Sequence, residues 1–303
     1  MLRENNLSGT SRANFRGRFS KVHRKENQRN SRLGQLDGSQ DAHEAWMMKQ
    51  DLYAIYSIWL REMLRFFRLK SRLFGSIASP FFFLAFLGVG FGNGASLPGI
   101  PQGLAYVSFL TPGIIGMTLL FSATFAGLSV LWDREFGFLK EIMVAPVSRI
   151  AIVLGRTAGG LTTGILQAVI ILISGIFLGM AMPSIQGFLM SLVFMILIAA
   201  TFIGLGLAFA SKMEDMSGFS LIMNFLIFPL FFLSGALFPL DRFPGVVKDL
   251  AYLNPLTYGV DGLRYSLIGT SAFSPALDLA VLTVYCSAML FLGAYLFENT
   301  EVK

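Results

Sequence analysis

The residue types that most often perform covalent chemistry are scarce in this 303-residue chain. Its two histidines, His23 and His43, both lie near the amino terminus, and its single cysteine is Cys286. The sequence contains no H-E-x-x-H, G-x-S-x-G or G-x-x-x-x-G-K-[ST] motif, which excludes the common zinc-protease site, the serine nucleophile elbow and a phosphate-binding P-loop. We therefore predict no catalytic residue, no metal site and no cofactor in this chain, and an energy source outside it.

The densest charge in the middle of the chain is the segment WDREFGFLKEIMVAPVSR, residues 132–149. Asp133 is placed to cap a helix, Glu135 would stabilise its first turn, and Pro146 would end it after about three turns. Two neighbouring apolar strips run along this helix, at Phe136, Leu139 and Met143 and at Phe138 and Ile142. Such a helix needs a surface to pack on, which is either lipid or a groove of a partner protein.

Composition places this charged segment in a membrane protein, because 54% of the residues are hydrophobic and only 14% are charged. Two runs, 73–132 and 157–211, contain no Asp, Glu, Lys or Arg, and each has a turn with Gly and Pro near its middle. A bilayer core of about 30 Å takes roughly 20 helical residues, so each run divides into two spans. We predict an all-α integral membrane protein with six transmembrane helices, near 74–92, 105–131, 153–180, 186–210, 217–239 and 279–297.

Lysine and arginine determine the expected orientation of these spans. Fifteen of the 24 Lys and Arg residues precede residue 73, so the positive-inside rule predicts a cytoplasmic amino terminus. Six spans then return the carboxyl end, 299–303, to the cytoplasm. They also place 132–149 inside and 241–278 outside. We expect a multi-pass protein of the cell membrane.

Two segments precede the transmembrane domain, which we predict over 73–298. Residues 1–50 are predicted to be a disordered basic cytoplasmic tail, because their polar composition buries too little apolar surface to fold.

In 51–72, arginines spaced by four, three and four residues lie on one helical face, with Trp59 and other aromatic residues largely on the other. We predict an amphipathic interfacial helix with its arginines toward anionic lipid, or a brace for a soluble subunit. These arginines are Arg61, Arg65, Arg68 and Arg72.

Several residues within the spans concern helix packing. The segment GRTAGGLTTG, 155–164, carries two glycine pairs at i and i+4, which we interpret as close packing of helices within the chain rather than as a contact between subunits. Gln167 and Asn224 are predicted to form interhelical hydrogen bonds. Arg156 lies near the cytoplasmic end of the third predicted span, where its side chain would extend to the interface.

The segment DREFGFLKEIMVAPVSR resembles the signature between the second and third spans of the ABC type-2 transporter permeases, particularly the drug-efflux branch with the daunorubicin-resistance and nodulation-export permeases. Members of that family carry a sequence like R-E-x-G-T-L-E-x-L-x-x-T-P-x-S-R. The matching residues are Arg134, Glu135, Gly137, Leu139, Pro146, Ser148 and Arg149, and the departures are Phe138, Lys140 and Ala145. A second resemblance covers 233–269, with the N-P-L-T-Y core at 254–258. The resemblance extends over about residues 50–298.

This resemblance implies a dimeric permease, formed by two copies of this chain or with a related permease, and driven by a separate ABC ATPase subunit that holds ATP and Mg. Residues 134–145 would form the coupling helix seated in a cleft of the ATPase, with the interfacial helix as a second contact. The expected ATPase-coupling residues are Arg134, Glu135, Phe136, Gly137, Phe138, Leu139, Lys140 and Glu141. The transporter would move a hydrophobic or amphipathic substrate outward, such as a drug, lipid or glycoconjugate. Nucleic acid is not an expected partner.

The outer segment before the last span is interrupted by Pro244, Pro255 and Gly259, which predicts helices too short to span the bilayer. We expect a re-entrant hairpin that dips into the outer leaflet, or else an ordinary interfacial loop. Its candidate residues are Asn254, Pro255, Tyr258, Asp261 and Arg264. Two alternative functions remain open: an ATPase-independent secondary carrier or channel, and a membrane-embedded transferase that would have to use the scattered Asp261 and Arg264.

Overall fold

The computed structural model describes residues 48–92, 104–135, 147–213 and 215–298. The predicted tail lies outside these ranges except for its last three residues, and the predicted cytoplasmic end at 299–303 lies outside them entirely. From Tyr53 onward the described residues form one compact unit. Its described residues are helical or irregular, with no β-strand among them, which confirms the all-α prediction for that part of the chain.

The described helices follow one another along the chain. In the described ranges they are α1 (48–68), α2 (Lys70–Gly92), α3 (Tyr106–Glu135), α4 (Arg149–Phe177), α5 (Ile185–Lys212), α6 (Met216–Leu233), a 3-10 helix (Leu240–Arg242), α7 (Gly245–Tyr252), α8 (Pro255–Ile268) and α9 (Pro275–Glu298). The predicted interfacial helix corresponds to α1, which ends four residues earlier than predicted because the helical backbone is interrupted at Leu69.

Among the described residues, five helices are long and apolar enough to cross a bilayer. These segments are Tyr106–Asp133, Ile150–Phe177, Ile185–Lys212, Met216–Leu233 and Pro275–Phe297. The first predicted span coincides with α2, whose apolar part, Phe74–Gly90, is shorter than the other five. The five long spans agree with the sequence prediction, and the count of six stays a prediction.

Caps and a turn decide where several helices begin and end. The side chains of Ser148, Ser184 and Asp215 accept hydrogen bonds from backbone N–H groups in the first turns of α4, α5 and α6, which satisfies donors that have no partner within the helix.

The fifth span was predicted to reach residue 239, and this boundary is wrong. Helix α6 ends at Leu233 because Gly235 adopts a left-handed φ of 73° that leads the chain into a turn.

Helix α5 is the central helix of the bundle and packs against α9, α3, α8 and α4. Glycine brings α5 and α9 close together. A Cβ atom at Gly204 would lie 2.6 Å from the backbone carbonyl carbon of Met289, and one at Gly293 would lie 2.6 Å from the carbonyl oxygen of Gly204. Any side chain at either glycine would therefore force the two helices apart.

The outer segment contains two short helices, α7 and α8, of 8 and 14 residues. Both are too short to cross a bilayer, as the proline positions predict. Helix α8 is the more deeply buried, because it packs against α5, α9 and α3. The segment is therefore part of the helical bundle.

Candidate functional site

Helix α1 packs directly on α4 through a glycine face. A Cβ atom at Gly155 would lie 2.9 Å from the Cβ of Ile58, and one at Gly159 would lie 2.8 Å from the Cβ of Glu62. These distances leave no room for a side chain on that face of α4. The small residues therefore determine how closely α1 can approach.

The second glycine pair of α4 faces α3. A Cβ atom at Gly160 would lie 3.1 Å from the Cβ of Ala126, and one at Gly164 would lie 3.2 Å from Oγ of Ser122. The two pairs thus seat α4 between α1 and α3. This confirms the prediction that the glycine pairs serve packing within the chain.

Asp133, near the end of α3, binds three guanidinium groups. Its Oδ2 accepts hydrogen bonds from Nη2 of Arg61 at 2.7 Å and from Nη2 of Arg156 at 2.5 Å. Its Oδ1 accepts a hydrogen bond from Nη2 of Arg65 at 3.2 Å. Glu62 accepts from Nη2 of Arg61 at 3.1 Å and from Nη1 of Arg65 at 3.4 Å. We call these five residues the Asp133 cluster, and it joins α1, α3 and α4.

The two innermost members of the Asp133 cluster are almost fully buried, with Asp133 4% exposed and Arg156 3% exposed. Buried charges of this kind must be paired, because desolvating an unpaired ion costs several kcal/mol. The side chains of Arg61 and Arg65 are 24% and 26% exposed, so they connect the buried pair to the surface of α1. Three cations against two anions leave the cluster with one excess positive charge.

A small cavity of about 30 Å³ adjoins Arg156 between α1, α2, α3 and α4. Polar residues in its wall include Glu62, Ser129, Arg156, Thr163 and Gln167. The Nε and Nη1 atoms of Arg156 have no hydrogen-bond partner among the described residues. Ser129 and Thr163 already donate their hydroxyl hydrogens to backbone carbonyl groups, so their oxygens present only lone pairs. The cavity suits one or two water molecules bridging the guanidinium to these oxygens, and is too small for a substrate.

The Asp133 cluster corrects two predictions about single residues. Asp133 is not a helix N-cap, because α3 continues through it to Glu135. Arg156 does not extend to the interface, because its guanidinium is buried against Asp133. The sequence contained a signal for this pair: Asp133 is the first charged residue after one long charge-free run, and Arg156 is the last charged residue before the next. Charges at the edge of apolar spans are usually paired with each other.

The prediction that the arginines of α1 point toward lipid is only partly correct. Arg61 and Arg65 face Asp133 rather than lipid, whereas Arg68 is exposed. The side chain of Arg72 lies outside the described residues. On the other side of the helix, Trp59 donates a hydrogen bond from Nε1 to the hydroxyl of Thr162 at 3.0 Å, so this aromatic residue packs on α4.

Two isolated polar residues within the spans behave differently. Gln167 on α4 donates a hydrogen bond from Nε2 to Oγ of Ser76 on α2 at 3.1 Å, which confirms the predicted interhelical bond. Asn224 on α6 is exposed instead. Its predicted interhelical bond is not formed within the described part of the chain.

In the outer segment, Asn254 and Asp261 hold backbone groups in place. Asn254 caps α8 by accepting from the N–H of Leu256 at 3.0 Å, and its Nδ2 donates to the carbonyl oxygen of Leu230 on α6 at 2.6 Å. Pro255 occupies the first turn of α8. Asp261 accepts hydrogen bonds from the N–H groups of the turn at 272–273, each at 2.9 Å. These contacts fasten α8 to α6 at its first turn and to the turn at 272–273 at its middle.

Arg264 is the buried cation of the outer segment. Its Nη2 donates to the carbonyl oxygen of Gly235 at 2.9 Å, and its guanidinium lies 4.0 Å from the centroid of the Phe109 ring. Burial lowers the pKa of Arg264 to about 10, against the opposing effect of Asp261, so the side chain stays charged at neutral pH. Tyr258 donates from its hydroxyl to the carbonyl of Tyr252 at 2.8 Å. All these groups serve to hold the fold of the segment.

The profile of the "ABC-2 type transporter" family matches residues 53–268, most of the chain. The chain belongs to this family. The match begins within α1 and ends at the last residue of α8, so it includes the Asp133 cluster and residues 241–268 of the outer segment.

Two relatives illustrate the range of ABC-2 proteins similar to this chain. The inner membrane transport permease YadH of Escherichia coli K12 is 28% identical over 248 residues, covering 80% of this chain and 93% of YadH. Nodulation protein J of Rhizobium leguminosarum bv. viciae is 27% identical over 235 residues, covering 76% of this chain and 88% of that protein. The prediction of a multi-pass cell-membrane permease is thereby confirmed.

The predicted ATPase-coupling residues of this ABC-2 permease follow directly after the Asp133 cluster. Arg134 and Glu135 form the end of α3, but their side chains lie outside the described residues, as does all of 136–146. The coupling helix therefore stays a prediction. The structure shows that α1, α3 and α4 meet at Asp133, three residues before 136–146 in the sequence.

Proposed function

We propose that this ABC-2 permease is the membrane subunit of an ABC exporter, driven by a separate ATPase subunit that holds ATP and Mg. The observation that carries the proposal is the Asp133 cluster, whose central residue lies shortly before 136–146 in the sequence. The sequence itself contains no P-loop motif that could hold ATP. A segment that receives force from an ATPase needs a rigid connection to the spans. A carboxylate bound by three arginines from two other helices provides such a connection.

The ATPase contact is assigned to residues 134–145, as a helix seated in a groove of the partner. Its proposed contact residues are Arg134, Glu135, Phe136, Gly137, Phe138, Leu139, Lys140 and Glu141. The exposed side of α1, with Leu60, Leu64 and Arg68, supplies the second contact or lies in the lipid headgroup region.

The proposed substrate is hydrophobic or amphipathic, such as a drug, lipid or glycoconjugate, and it moves outward. This rests on the apolar and aromatic character of the spans. The transporter functions as a dimer of two copies or with a related permease. Exposed aromatic residues on α2 and α6, including Phe74, Phe86 and Phe225, offer surface for that partner or for lipid. The outer segment forms the proposed re-entrant hairpin.

The alternative functions receive less support from the same residues. An ATPase-independent carrier would need ionisable groups available near the middle of the membrane. Asp133 and Arg156 neutralise each other at the end of α3, and Asp278 lies in the first turn of α9. A transferase would need accessible polar groups, whereas Asp261 and Arg264 are 2% and 7% exposed.

The test is recovery of the ATPase with purified permease. The double change Glu135→Arg with Phe138→Asp places a reversed charge and an unpaired one in the proposed contact, so ATPase recovery should fall at least tenfold, the effect of about 1.4 kcal/mol. Permease abundance in the membrane should stay unchanged, because both residues lie outside the spans. Glu214→Arg, in the other predicted cytoplasmic turn, is the matched control and should leave recovery intact. Normal recovery with the double variant would refute the coupling helix, and robust ATP hydrolysis by the permease alone would refute the proposed function.

A further inference from the structure

We propose that Asp261 and Asp278 bind one proton between them at neutral pH, and that this proton holds α8 against the beginning of α9. The two residues lie on different helices, Asp261 in the middle of α8 and Asp278 in the first turn of α9. The site is separate from the Asp133 cluster, and the inference does not depend on the proposed function.

The two carboxyl groups are buried together where α8 packs on α9. Asp261 is 2% exposed and Asp278 is 0% exposed, and their side chains lie within hydrogen-bonding distance of each other. Two carboxyl groups at such close range in a buried site cannot both be ionised, because their charges repel strongly where water is excluded. One of the two therefore carries a proton.

Asp261 is the member of the pair that stays ionised, because several donors contact it. It accepts hydrogen bonds from the backbone N–H groups of Ala272 and Phe273, each at 2.9 Å. In addition, Nη1 of Arg264 lies 3.8 Å from its Oδ1. Backbone donors and a nearby cation both stabilise the charged form of a carboxyl group.

Asp278 lacks such donors. Neither of its carboxyl oxygens has a hydrogen-bond partner among the described residues, and a buried ionised carboxylate in this condition is costly. The carboxylate of Asp261 cannot help, because it has no hydrogen to donate. A proton on Asp278 supplies the missing contact, since its O–H group then donates to Asp261 in a charge-assisted hydrogen bond.

Other ionisable groups near the pair are engaged elsewhere. On α7, α8 and α9 they are Lys248, Tyr252, Tyr258, Arg264, Tyr265 and Tyr285. Tyr258, Arg264 and Tyr285 donate to backbone carbonyl oxygens, at 2.8, 2.9 and 3.0 Å. Lys248 contacts Asp241 and Tyr252, and Tyr265 is 40% exposed. None of them forms a described hydrogen bond with Asp278.

The helices packed on the other sides of the pair supply no counter-charge. The one ionisable residue of α5 is its last, Lys212, and α6 has none. Charged residues of α3 and α4 lie at the helix ends that form the Asp133 cluster, and Tyr106 of α3 donates to the carbonyl of Leu237 at 3.2 Å. The sequence of 93–103, outside the described residues, also contains no ionisable side chain.

A proton fits this pair better than a metal ion does. Among the described residues, no group of three or more His, Cys, Asp or Glu side chains could hold a metal. Calcium takes six to eight oxygen ligands and magnesium six, whereas the pair offers two carboxyl groups, one of which is already occupied by backbone donors. The proposed ligand is therefore the proton alone.

The bound proton should make stability depend on pH. In the unfolded chain an aspartate is ionised above its ordinary pKa of about 4, whereas the folded site holds a proton at neutral pH. The folded protein thus binds one more proton, so its stability falls as pH rises from about 5 to the pH at which the site releases its proton. Over that range the equilibrium constant for unfolding should rise by up to about tenfold per pH unit, the effect of one proton.

The experiment detects the proton directly in the full chain, reconstituted in lipid nanodiscs. Infrared spectra at neutral pH report the C=O stretching band of a protonated carboxyl group, and isotope-labelled aspartate shifts that band if an aspartate carries it. Unfolding in mixed detergent is then measured from about pH 5 to about pH 9. The variants are Asp278→Asn and the control Asp249→Asn, which alters an exposed aspartate of α7.

The unaltered protein and Asp249→Asn should show the aspartate band, and Asp278→Asn should lose it. Asp278→Asn keeps an N–H donor for Asp261, so it should fold and bind one proton fewer. Its stability should therefore decrease less with rising pH, and at about pH 9 it should exceed that of the unaltered protein. If Asp278→Asn is too unstable to purify, Asp278→Ser, which also keeps a neutral donor, takes its place.

Three results would overturn the inference. Absence of the aspartate band from the unaltered protein at neutral pH would show that the pair holds no proton. A band that persists in Asp278→Asn, or an unchanged pH dependence of unfolding in that variant, would place the proton elsewhere. A melting temperature lowered by a chelator in the unaltered protein but not in Asp278→Asn would show that a metal ion occupies the pair.

Discussion

The guanidinium of Arg156 on α4 donates a hydrogen bond to the carboxylate of Asp133 on α3 at 2.5 Å, with both side chains almost fully buried. The two partners are not equivalent. Asp133 also binds Arg61 and Arg65, whereas Asp133 is the hydrogen-bonding partner described for Arg156. Removing one partner therefore has a different consequence from removing the other.

We expect Asp133→Asn to be more destabilising than Arg156→Gln. Asp133→Asn leaves the Arg156 cation buried without its counter-ion, which costs about 3–5 kcal/mol. Arg156→Gln leaves Asp133 paired with two arginines and should cost less. The double variant removes the unpaired cation, so it should be more stable than Asp133→Asn alone. Unfolding in mixed detergent measures all three, and equal losses for the two single variants would contradict the assigned pairing.

Gly113 should not tolerate a side chain. A Cβ atom at this position of α3 would lie 2.5 Å from the carbonyl oxygen of Ala236, and overpacking of this kind costs about 1–3 kcal/mol. Gly113→Ala is therefore expected to lower the melting temperature by several degrees. Gly90→Ala on α2 is the matched control, because no atom lies within 4 Å of its Cβ position. That change should be neutral or slightly stabilising, and a similar loss in both variants would disprove the close approach.

Asn254 has two separable contributions to the outer segment, and two variants distinguish them. Asn254→Ser keeps a side-chain oxygen that can cap α8 but loses the bond to Leu230. Asn254→Ala loses both. The alanine variant should be less stable than the serine variant by about 1 kcal/mol, the usual contribution of a cap. Thermal unfolding in detergent gives the comparison, and identical stabilities would show that the cap contributes nothing.

Single cysteines test the predicted topology. In a Cys286→Ala background, cysteines at Ser96, Met182 and Leu250 should react with an impermeant maleimide in intact cells. Cysteines at Lys140 and Lys212 should react only after the membrane is opened, because positive-inside orientation places them in the cytoplasm. Met182 and Leu250 are 85% and 51% exposed, so accessibility within the chain does not limit labelling. If the cysteine at position 250 reacts only after the membrane is opened, the outer segment lies on the cytoplasmic side and the predicted topology is wrong.

The sequence alone determined the class of the protein and the position of most spans. A charge-free run such as 157–211 must lie largely within the bilayer. Its length and the turn at 179–187 together predict that it forms two transmembrane helices. The prolines of 241–278 likewise predict helices too short to span. The glycine pairs of 155–164 predict close packing, since within a helix a residue without a side chain lets another helix approach closely.

Only the tertiary structure decided which residues meet. Periodicity places Arg61 and Arg65 on one face of α1, but it contains no information on what lies opposite that face. The acceptor proved to be Asp133, 68 residues beyond Arg65 in the chain. Local rules made Asp133 a helix cap and Arg156 an interfacial residue because each rule considers only neighbours in sequence. The energy of an ion pair depends instead on distance in space and on burial, and both are created by the packing of α1 and α3 against α4.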